Sequence, residues 1–475
     1  MRNLIFLVIF VSATILPKSG LAADKDRSFW QKRQQGVAET QTPASATSES
    51  ALDPQAIEIP EQYGTIIETH RGTNGKMIVH IQDAHANYEG RINSAKIIES
   101  LIEDYDLNLI LGEGHLNDTD YKFLRDRADT LTLEERREVA DGLVRDGYFT
   151  SVNYIDLATD HPTKVRGIEE RGLYESHRDS LWDIDKFKDP AGEYVDKLIV
   201  ASDLLKTAIY NKDLVELDSK KQAYDNEDID LLEYYEFLYD KAGMQGVPLY
   251  TFPNFQNLIK ASELEKKIDL VKIMDGSASD EETELYDEYT EATKDLNINA
   301  LFREEPMLED TLQDILAANS DQKNLLKVSK ALSIMKNLLR IKVVPEEYKY
   351  FTDNTDDFNP EFWVDFLREK SQGLGLSLDI PASHYIISDN LQRIEKFYGL
   401  AAERDRVFVK KTNEHMKNED TDLAVLIAGG FHTPALTRLL ADSGYSYIVI
   451  SPKVTTETDE GLYRWALKTK RSLLD

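Results

Sequence analysis

The sequence predicts an α/β fold with a mostly parallel central sheet, flanking helices and a large helical insertion. Two segments, residues 77–115 and 423–452, each have the pattern of a strand, an amphipathic helix and a second strand. A helical crossover joins parallel strands, so each segment predicts a parallel strand pair. Between the two segments, residues 181–345 are dominated by helical periodicity, which predicts the insertion.

The N-terminal residues are typical of a secretory signal peptide followed by a linker. Arg2 gives a positive start, and the apolar run at residues 4–16 is too short to span a bilayer. Small residues then form a cleavage context that ends at Ala22, so we expect residues 1–22 to be removed. Residues 23–57 are polar and rich in Gln, Ser, Thr and Ala, which predicts a disordered linker.

The N-terminal half of the α/β domain is expected at residues 60–180. Its predicted strands are residues 65–70, 77–82, 107–111 and 164–170. Asn87 can cap the helix between the second and third of these strands. That helix has an apolar face of Tyr88, Ile92, Ala95, Ile98, Ile102 and Tyr105. The short apolar run of the third strand is typical of a buried parallel strand.

The C-terminal half of the α/β domain is expected at residues 346–475. Its strand–helix–strand unit starts with the apolar run at residues 423–428. Thr433 and Pro434 suit the N-cap and the first position of the following helix, and Gly444 is a natural helix stop.

Composition narrows the classes of function. The 475-residue chain has a formal net charge of −30 and contains no cysteine. An acidic surface repels phosphate backbones, so we expect no nucleic-acid partner. The absence of cysteine excludes disulfides, thiolate metal sites and cysteine nucleophiles. Beyond the expected signal peptide no segment is long and apolar enough for a transmembrane anchor, which favours a periplasmic or secreted protein.

Acidic and imidazole side chains follow the predicted strands at their carboxyl ends, where open α/β sheets bind ligands. These side chains are Asp83, His85, Glu113, His115 and His432. Side chains two apart on an extended strand point the same way, so Asp83 and His85 share a direction. If the first two parallel strands are neighbours, four such groups meet within about 5 to 10 Å. His80 lies mid-strand and is expected to be a core histidine, whereas His177 lacks a comparable context.

This set of side chains suits either a metal ion or acid–base chemistry. Imidazole with carboxylate suits Zn, Mn, Fe or Co, and carboxylate alone suits Mg or Ca. Without a metal, a carboxylate and a histidine can transfer protons. Gly429-Gly430 before His432 predicts either a tight turn or a close approach of the backbone to a ligand. Each strand-end group has a structural alternative, in which it caps a helix or forms an ordinary hydrogen bond.

Five short motifs occur in order along the chain. They are Gln82-Asp83-Ala84-His85, Leu111-Gly112-Glu113, Gly167-Ile168-Glu169, Glu403-Arg404-Asp405 and Gly429-Gly430-Phe431-His432. In this order they resemble the superfamily of TraB and Tiki proteins, erythromycin esterase-like enzymes and ChaN-like haem-binding lipoproteins, with the TraB and Tiki branch most similar. Asp83 stands where that family has Thr or Glu, and His115 is not part of its pattern.

The resemblance implies a secreted, metal-dependent hydrolase that cleaves a peptide or ester bond in a peptide or small-molecule substrate. The implied catalytic residues are Asp83, Glu113, Glu169 and Arg404. The implied ligands of a divalent metal ion are His85, Glu113 and His432. Additional site residues would be His115, Gly429 and Gly430. Arg404 would stabilise negative charge on the substrate or orient a carboxylate, and the helical insertion would form a wall or lid of the cleft.

Two alternatives stay open at this point. ChaN-like relatives imply a haem-binding or iron-binding periplasmic protein without catalysis, in which histidines and tyrosines would ligate iron. The third hypothesis is a scaffold without activity, in which the groups of the cleft lie too far apart to cooperate.

Overall fold

The computed structural model describes most of the chain between Leu52 and Thr456. The described residues are 52–83, 87–116, 128, 130–161, 163–294, 296–381 and 383–456. The expected signal peptide, most of the expected linker and His85 lie outside these residues. Of the expected linker, residues 52–57 are described. Pro54–Ala56 form a 3-10 turn capped by Asp53, and Ile57 is buried in the core.

The chain divides into two compact units. One consists of Ala46–Lys186 and Leu391–Asp475, and we call it the sheet unit. The other consists of Phe187–Asn390, and we call it the helical unit. The helical unit therefore continues past residue 345, where the sequence predicts the return of the α/β domain.

Six strands form one mostly parallel sheet, which confirms the expected α/β class. In chain order they are β1 (Gly64–His70), β2 (Met77–Asp83), β3 (Leu109–Gly112), β4 (Lys164–Gly167), β5 (Leu423–Gly429) and β6 (Ser446–Pro452). Their order across the sheet is β1-β6-β2-β5-β3-β4. β1 pairs antiparallel with β6, and the other neighbouring pairs are parallel.

The strands of each predicted strand–helix–strand unit run parallel but do not pair directly. β5 lies between β2 and β3, and β2 lies between β5 and β6. The expectation of direct pairing is therefore wrong. All seven residues of β5 are buried, and such a strand needs a hydrogen-bonded neighbour on each side and cover on both faces. A central position satisfies these needs and inserts the C-terminal motif between the two N-terminal strands.

The described helices have the following bounds. They are α1 (Tyr88–Tyr105), α2 (Leu133–Arg145), α3 (Ser151–Ala158), α4 (Arg171–Asp185), α5 (Lys188–Ile209), α6 (Lys212–Asp225), α7 (Leu231–Met244), α8 (Pro253–Glu265), α9 (Leu270–Asp275), α10 (Asp280–Lys294), α11 (Ile298–Leu316), α12 (Ser320–Leu339), α13 (Pro345–Asp353), α14 (Pro360–Gly373), α15 (Tyr385–Ser388), α16 (Leu391–Asn418) and α17 (Thr433–Asp442). Among these residues no helix is long and apolar enough to cross a membrane.

Helices cover both faces of the sheet and bury a separate core on each. On one face α1, α2 and α3 pack against Val79 and Ile81 of β2. On the other face α16 and α17 pack against alternate residues of the strands, including Ile78 and Leu426. The alternation follows from the pleat, because successive side chains of a strand point to opposite faces. Each position near a strand end is thereby assigned to one of the two faces.

The long helix α16 carries charged residues on its buried side. Phe397, Ala401 and Phe408 are buried at helical spacing, and Arg404 and Asp405 are buried among them. Charged side chains are rarely buried without partners. The helix therefore places a guanidinium and a carboxylate where other groups of the sheet unit must pair with them.

The helical unit has its own core and a buried polar cluster. Lys221 of α6 lies between two carboxylates of α11, with its Nζ 2.8 Å from Oε1 of Glu305 and also bonded to Glu309. The hydroxyls of Tyr234 and Tyr235 donate to the same two carboxylates. These bonds tie α6, α7 and α11 together, and burial in this cluster raises the pKa of both tyrosines.

Candidate active site

A network of buried charged groups lies at the carboxyl edge of the sheet, on the face covered by α16. Glu113 follows β3, Glu169 follows β4, and His432 follows β5 in a 3-10 turn. Arg404 and Asp405 come from α16. The central position of β5 brings its end beside that of β3, because Ile110 to Gly112 pair with Val425 to Ile427. The backbone N–H of Glu113 continues this ladder by donating to Ile427 at 2.9 Å.

Arg404 is the centre of the network. Its Nη2 donates to Oε1 of Glu113 at 2.9 Å and also to Oε1 of Glu169. Its Nε lies 3.3 Å from Oε2 of Glu169, so this second carboxylate is held by two donors. The guanidinium also lies over the rings of Tyr174 and Phe408, at 5.5 and 5.2 Å from their centroids. Bidentate pairing and ring contacts fix the plane of the guanidinium.

His432 and Asp405 form a buried imidazole–carboxylate pair. Nδ1 of His432 lies 2.5 Å from Oδ1 of Asp405, which fixes the ring orientation. Nε2 has two neighbours, namely Oε1 of Glu113 at 3.4 Å and Nη1 of Arg404 at 3.3 Å. Only one of them can be its partner at a time. A protonated ring donates to Glu113, whereas a neutral ring accepts from Arg404.

The charged groups around His432 favour the protonated form of its ring. Burial lowers the pKa of His432, but the charge of Glu113 and the bond to Asp405 outweigh burial and raise the pKa to about 9. Glu169 has a raised pKa, because burial outweighs the charge of Arg404 and its hydrogen bonds. For Arg404, burial is outweighed by Glu113 and Glu169, which raise its pKa. These directions describe an imidazolium near neutral pH, which forms an ion pair with Glu113 at 3.4 Å between Nε2 and Oε1.

His177 of α4 is a further member of the network. Its Nδ1 accepts a hydrogen bond from Nη1 of Arg404 at 2.7 Å, and its ring stacks on Phe397 with centroids 4.5 Å apart. Burial, Arg404 and His432 lower the pKa of His177 to about 3, so the ring is neutral and carries its proton on Nε2. Within the described part of the chain, Nε2 has no hydrogen-bond partner. His177 therefore supports one side of the guanidinium.

Backbone groups complete the support of the two glutamates. The N–H of Gly429 donates to Oε2 of Glu113 at 2.7 Å. The N–H of Gly114 donates to Oε1 of Glu169 at 3.2 Å, and Lys411 binds the carbonyl of Glu169. Because backbone donors move little, the two carboxylates are held in fixed directions.

Glu113 is the network member through which solvent reaches the buried charges. Its side chain is 13% exposed, whereas that of Glu169 is fully buried and that of Arg404 is 4% exposed. The side chains of His432 and Asp405 are buried as well. Chemistry with a bound molecule would therefore start at Glu113, with His432 next to it.

The structure places Asp83 on the other side of the sheet. Asp83 is in register with Gly429, so its backbone lies beside the site. Because side chains alternate along β2, that of Asp83 lies on the same face of the sheet as Val79 and Ile81. Helix α1 packs against this face. There its charge raises the pKa of Arg91, although burial lowers that pKa more. Of the residues expected to share a site, Glu113, Glu169, Arg404 and His432 lie together on one face of the sheet. Asp83 lies on the opposite face.

The remaining predicted positions have separate surroundings. His115 is buried and folds back so that its Nδ1 lies 3.2 Å from the carbonyl oxygen of Glu113. A Cβ at Gly112 would come within 2.6 Å of that ring nitrogen, so glycine is needed there. Gly430 is exposed beside the end of β5. His80 is a core histidine as expected, because its two nitrogens contact the Leu426 carbonyl and the Thr433 hydroxyl.

The donor atoms of the site decide whether it can hold a metal ion. In the part of the chain that the structure describes, no group of three or more His, Asp or Glu side chains is arranged to hold one. Oε1 of Glu113 binds Arg404, its Oε2 binds Gly429, and both ring nitrogens of His432 have neighbours. A guanidinium supplies the positive charge between the two glutamates. These donors therefore do not fit a metal ion while Arg404 keeps this position.

Sequence reasoning missed two members of the network. Asp405 belongs to the motif Glu403-Arg404-Asp405, for which the sequence predicts a role of Arg404 alone. Its position next to Arg404 on a helix with apolar residues at 401 and 408 was an available signal, because it lies on the same buried side. His177 had no such signal, since its partner Arg404 is 227 positions away.

Comparison with family models finds no match, and comparisons with curated proteins and with solved structures find no significant match. The resemblance to TraB and Tiki proteins therefore stays a prediction from the sequence.

Proposed function

We propose that this protein is a hydrolase that cleaves a peptide or ester bond, with Glu113 and His432 as its acid–base pair. One observation carries the proposal. Glu113 is partly exposed, accepts hydrogen bonds from Arg404 and from the N–H of Gly429, and lies 3.4 Å from Nε2 of His432. A carboxylate and an imidazolium in direct contact at a strand-end edge are the groups that general base and general acid catalysis need.

In the proposed reaction Glu113 acts as the general base. A water molecule bound to its carboxylate loses a proton to Glu113 as the water oxygen attacks the carbonyl carbon of the substrate. The tetrahedral intermediate then expels the alcohol or amine, which takes the Nε2 proton of His432. Glu113 afterwards transfers its proton to Nε2 of His432, so both groups regain their starting state. General acid–base catalysis of this kind contributes about 10²–10⁴-fold.

The other members of the network keep this pair in place. Asp405 fixes the ring of His432 and stabilises its charge, as a carboxylate does for a catalytic imidazole in acyl transfer. Arg404 orients Glu113, and Glu169 balances the charge of Arg404 in a buried place. His177 donates to none of these groups but accepts from Arg404. No step of this scheme passes through a metal ion, and metal binding through His85, Glu113 and His432 stays a prediction of the sequence.

The resemblance to the TraB, Tiki and erythromycin esterase-like group supports the same reaction class. Four residues of its ordered motifs, Glu113, Glu169, Arg404 and His432, contact one another although they come from separate parts of the chain. We also propose that the helical unit is an insertion, because Phe187–Asn390 lies in sequence between the two segments of the sheet unit. Its role as a wall or lid, and export to the periplasm or medium, stay predictions.

The experiment that tests the proposal compares Glu113→Gln with a matched control on a panel of ester and peptide substrates. Glu403→Gln is the control, because Glu403 is exposed on the same helix as Arg404. We expect wild type and the control to hydrolyse at least one substrate, and Glu113→Gln to be slower by at least about 100-fold. Equal rates in all three proteins would contradict the proposal.

The same preparation tests the haem alternative. Without turnover, a Soret band that grows on addition of haem to wild type and is lost in His432→Ala would favour a binding protein. Turnover without a haem complex would favour the hydrolase.

A further inference from the structure

Phe431 is an exposed aromatic residue directly beside the acid–base pair. It lies in the 3-10 turn Gly430–His432, between the end of β5 and the buried ring of His432. Phe431 is 36% exposed and its neighbour Gly430 is exposed as well, whereas His432 on its other side is buried. Single exposed apolar side chains are normal on a protein surface, but the ring of Phe431 contacts that of His432 and therefore borders the proposed site.

Buried rings hold Phe431 from behind. Its centroid lies 5.2 Å from that of His432 with an interplanar angle of 80°. The rings of Phe397 and Tyr398 are buried and lie 6.2 and 6.1 Å away. These distances are within the usual range of aromatic pairs. The ring of Phe431 is therefore supported on its inner side, and its outer side faces solvent.

Gly430 leaves space on the other side of the same turn. A Cβ there would contact only the amide of Gln82, at 4.0 Å, which is an ordinary contact distance. Its backbone has no positive φ. Neither sterics nor backbone conformation therefore requires glycine at this position. A bare backbone beside an exposed ring leaves room for a flat group to approach the turn.

We propose that Phe431 is a specificity-determining residue that contacts an apolar, planar group on the leaving side of the scissile bond. This inference rests on the proposed function. In that scheme His432 protonates the departing alcohol or amine, and the Phe431 ring lies next to His432. The substrate class would be esters or amides of aromatic or other apolar alcohols and amines. A charged leaving group would meet an apolar ring where it needs water or a counterion.

The test compares two esters of similar intrinsic reactivity, benzyl acetate and ethyl acetate. We expect wild type to prefer the benzyl ester in kcat/KM, and Phe431→Ala to reduce that preference by about 2- to 12-fold, the range for one aromatic contact. The change should be mainly in KM, because the contact exists before the reaction. Phe431→Tyr should keep the preference. The control is Phe362→Ala, a phenylalanine of similar exposure at 40%, which should also keep it. An unchanged preference in Phe431→Ala would overturn the inference.

A binding measurement separates this inference from the proposed function. Benzyl alcohol is a product analogue, and its binding can be followed by ligand-observed NMR without turnover. We expect weaker binding to Phe431→Ala than to wild type or Phe362→Ala. If no protein hydrolyses esters but benzyl alcohol binding still depends on Phe431, the apolar contact stands and the hydrolase fails. If binding is the same in all proteins, or absent from wild type, the contact itself is contradicted.

Discussion

The backbone N–H of Gly429 donates to Oε2 of Glu113 at 2.7 Å, although the two residues are 316 positions apart. This bond exists because β5 enters the sheet between β2 and β3. It fixes one carboxylate oxygen and leaves the other for Arg404 and His432. The same strand that supplies the donor leads directly into the 3-10 turn Gly430–His432, which carries His432. One topological feature thus assembles both halves of the proposed acid–base pair.

Arg404 is expected to be required for stability as well as activity. In Arg404→Met the carboxylate of Glu169 would stay buried without its two donors. Removing one partner of a buried ion pair costs about 3–5 kcal/mol. We expect a loss of this order in the free energy of unfolding, measured by urea denaturation. The double variant Glu169→Gln, Arg404→Met should lose less than Arg404→Met alone, and strictly additive losses would contradict the pairing.

Asp405 is expected to act through the orientation of His432. Asp405→Asn would keep the shape of the side chain but weaken its hold on the imidazolium. Loss of such a supporting carboxylate commonly costs at least about 10- to 100-fold in activity. We predict that kcat falls by this amount while the circular dichroism spectrum is unchanged. Asp422→Asn, at a side chain that is 72% exposed, should have wild-type kcat, and an equal kcat in Asp405→Asn would refute the role.

Buried neutral histidines predict how stability changes in acid. Burial lowers the pKa of His80 from 6.5 to about 4, against a smaller effect of the Leu426 carbonyl. The unfolded state therefore takes up this proton first as the pH falls. The stability that His80 contributes is complete above pH 6.5 and is lost as the pH falls from 6.5 toward 4.

Replacing His80 should flatten this dependence. His80→Gln should reduce the slope of unfolding free energy against pH between 6.5 and 4 by at most about 1.4 kcal/mol per pH unit, the value for one proton. His161→Gln, at an exposed histidine, is the control. Identical slopes in wild type and His80→Gln would show that another group takes up the proton.

Whether activity requires a metal ion distinguishes the acid–base mechanism from the metal site predicted from the sequence. With Arg404 between Glu113 and Glu169, the acid–base account predicts that activity survives dialysis against a chelator. Elemental analysis of protein purified without a chelator gives the matching metal content. A stoichiometric metal whose removal abolishes activity, and whose return restores it, would favour the ligand set predicted from the sequence.

The part of the fold that could be predicted from the sequence is the part encoded locally. The apolar run at residues 423–428, the N-cap at Asn87 and the periodicity of α1 each depend on neighbours in sequence, and the structure has the corresponding elements. The order of strands could not be predicted in this way. It depends on which strand is most stable in the centre of the sheet, and this is decided by cover on both faces.

The same distinction applies to the site. The sequence predicts Glu113 and His432 as site residues because both follow strands, and the structure has their contact at 3.4 Å. Asp83 is the last residue of β2, but the alternation of side chains along the strand places it on the opposite face of the sheet. Because side chains along a strand alternate with a period of two, a shift of one residue moves a side chain to the other face of the sheet. The sequence does not predict His177, because its partner Arg404 lies far away in the chain.

The central claim is that Glu113 and His432 act as one catalytic unit, and a double-mutant cycle in kcat/KM tests it most directly. Glu113→Gln and His432→Asn are measured singly and together on the best substrate, with circular dichroism to check folding. Residues that act as a unit are strongly non-additive. We predict that each single variant loses at least about 100-fold, and that the double variant is within about threefold of the slower single variant. Losses that multiply in the double variant, or a folded single variant with wild-type activity, would contradict the claim.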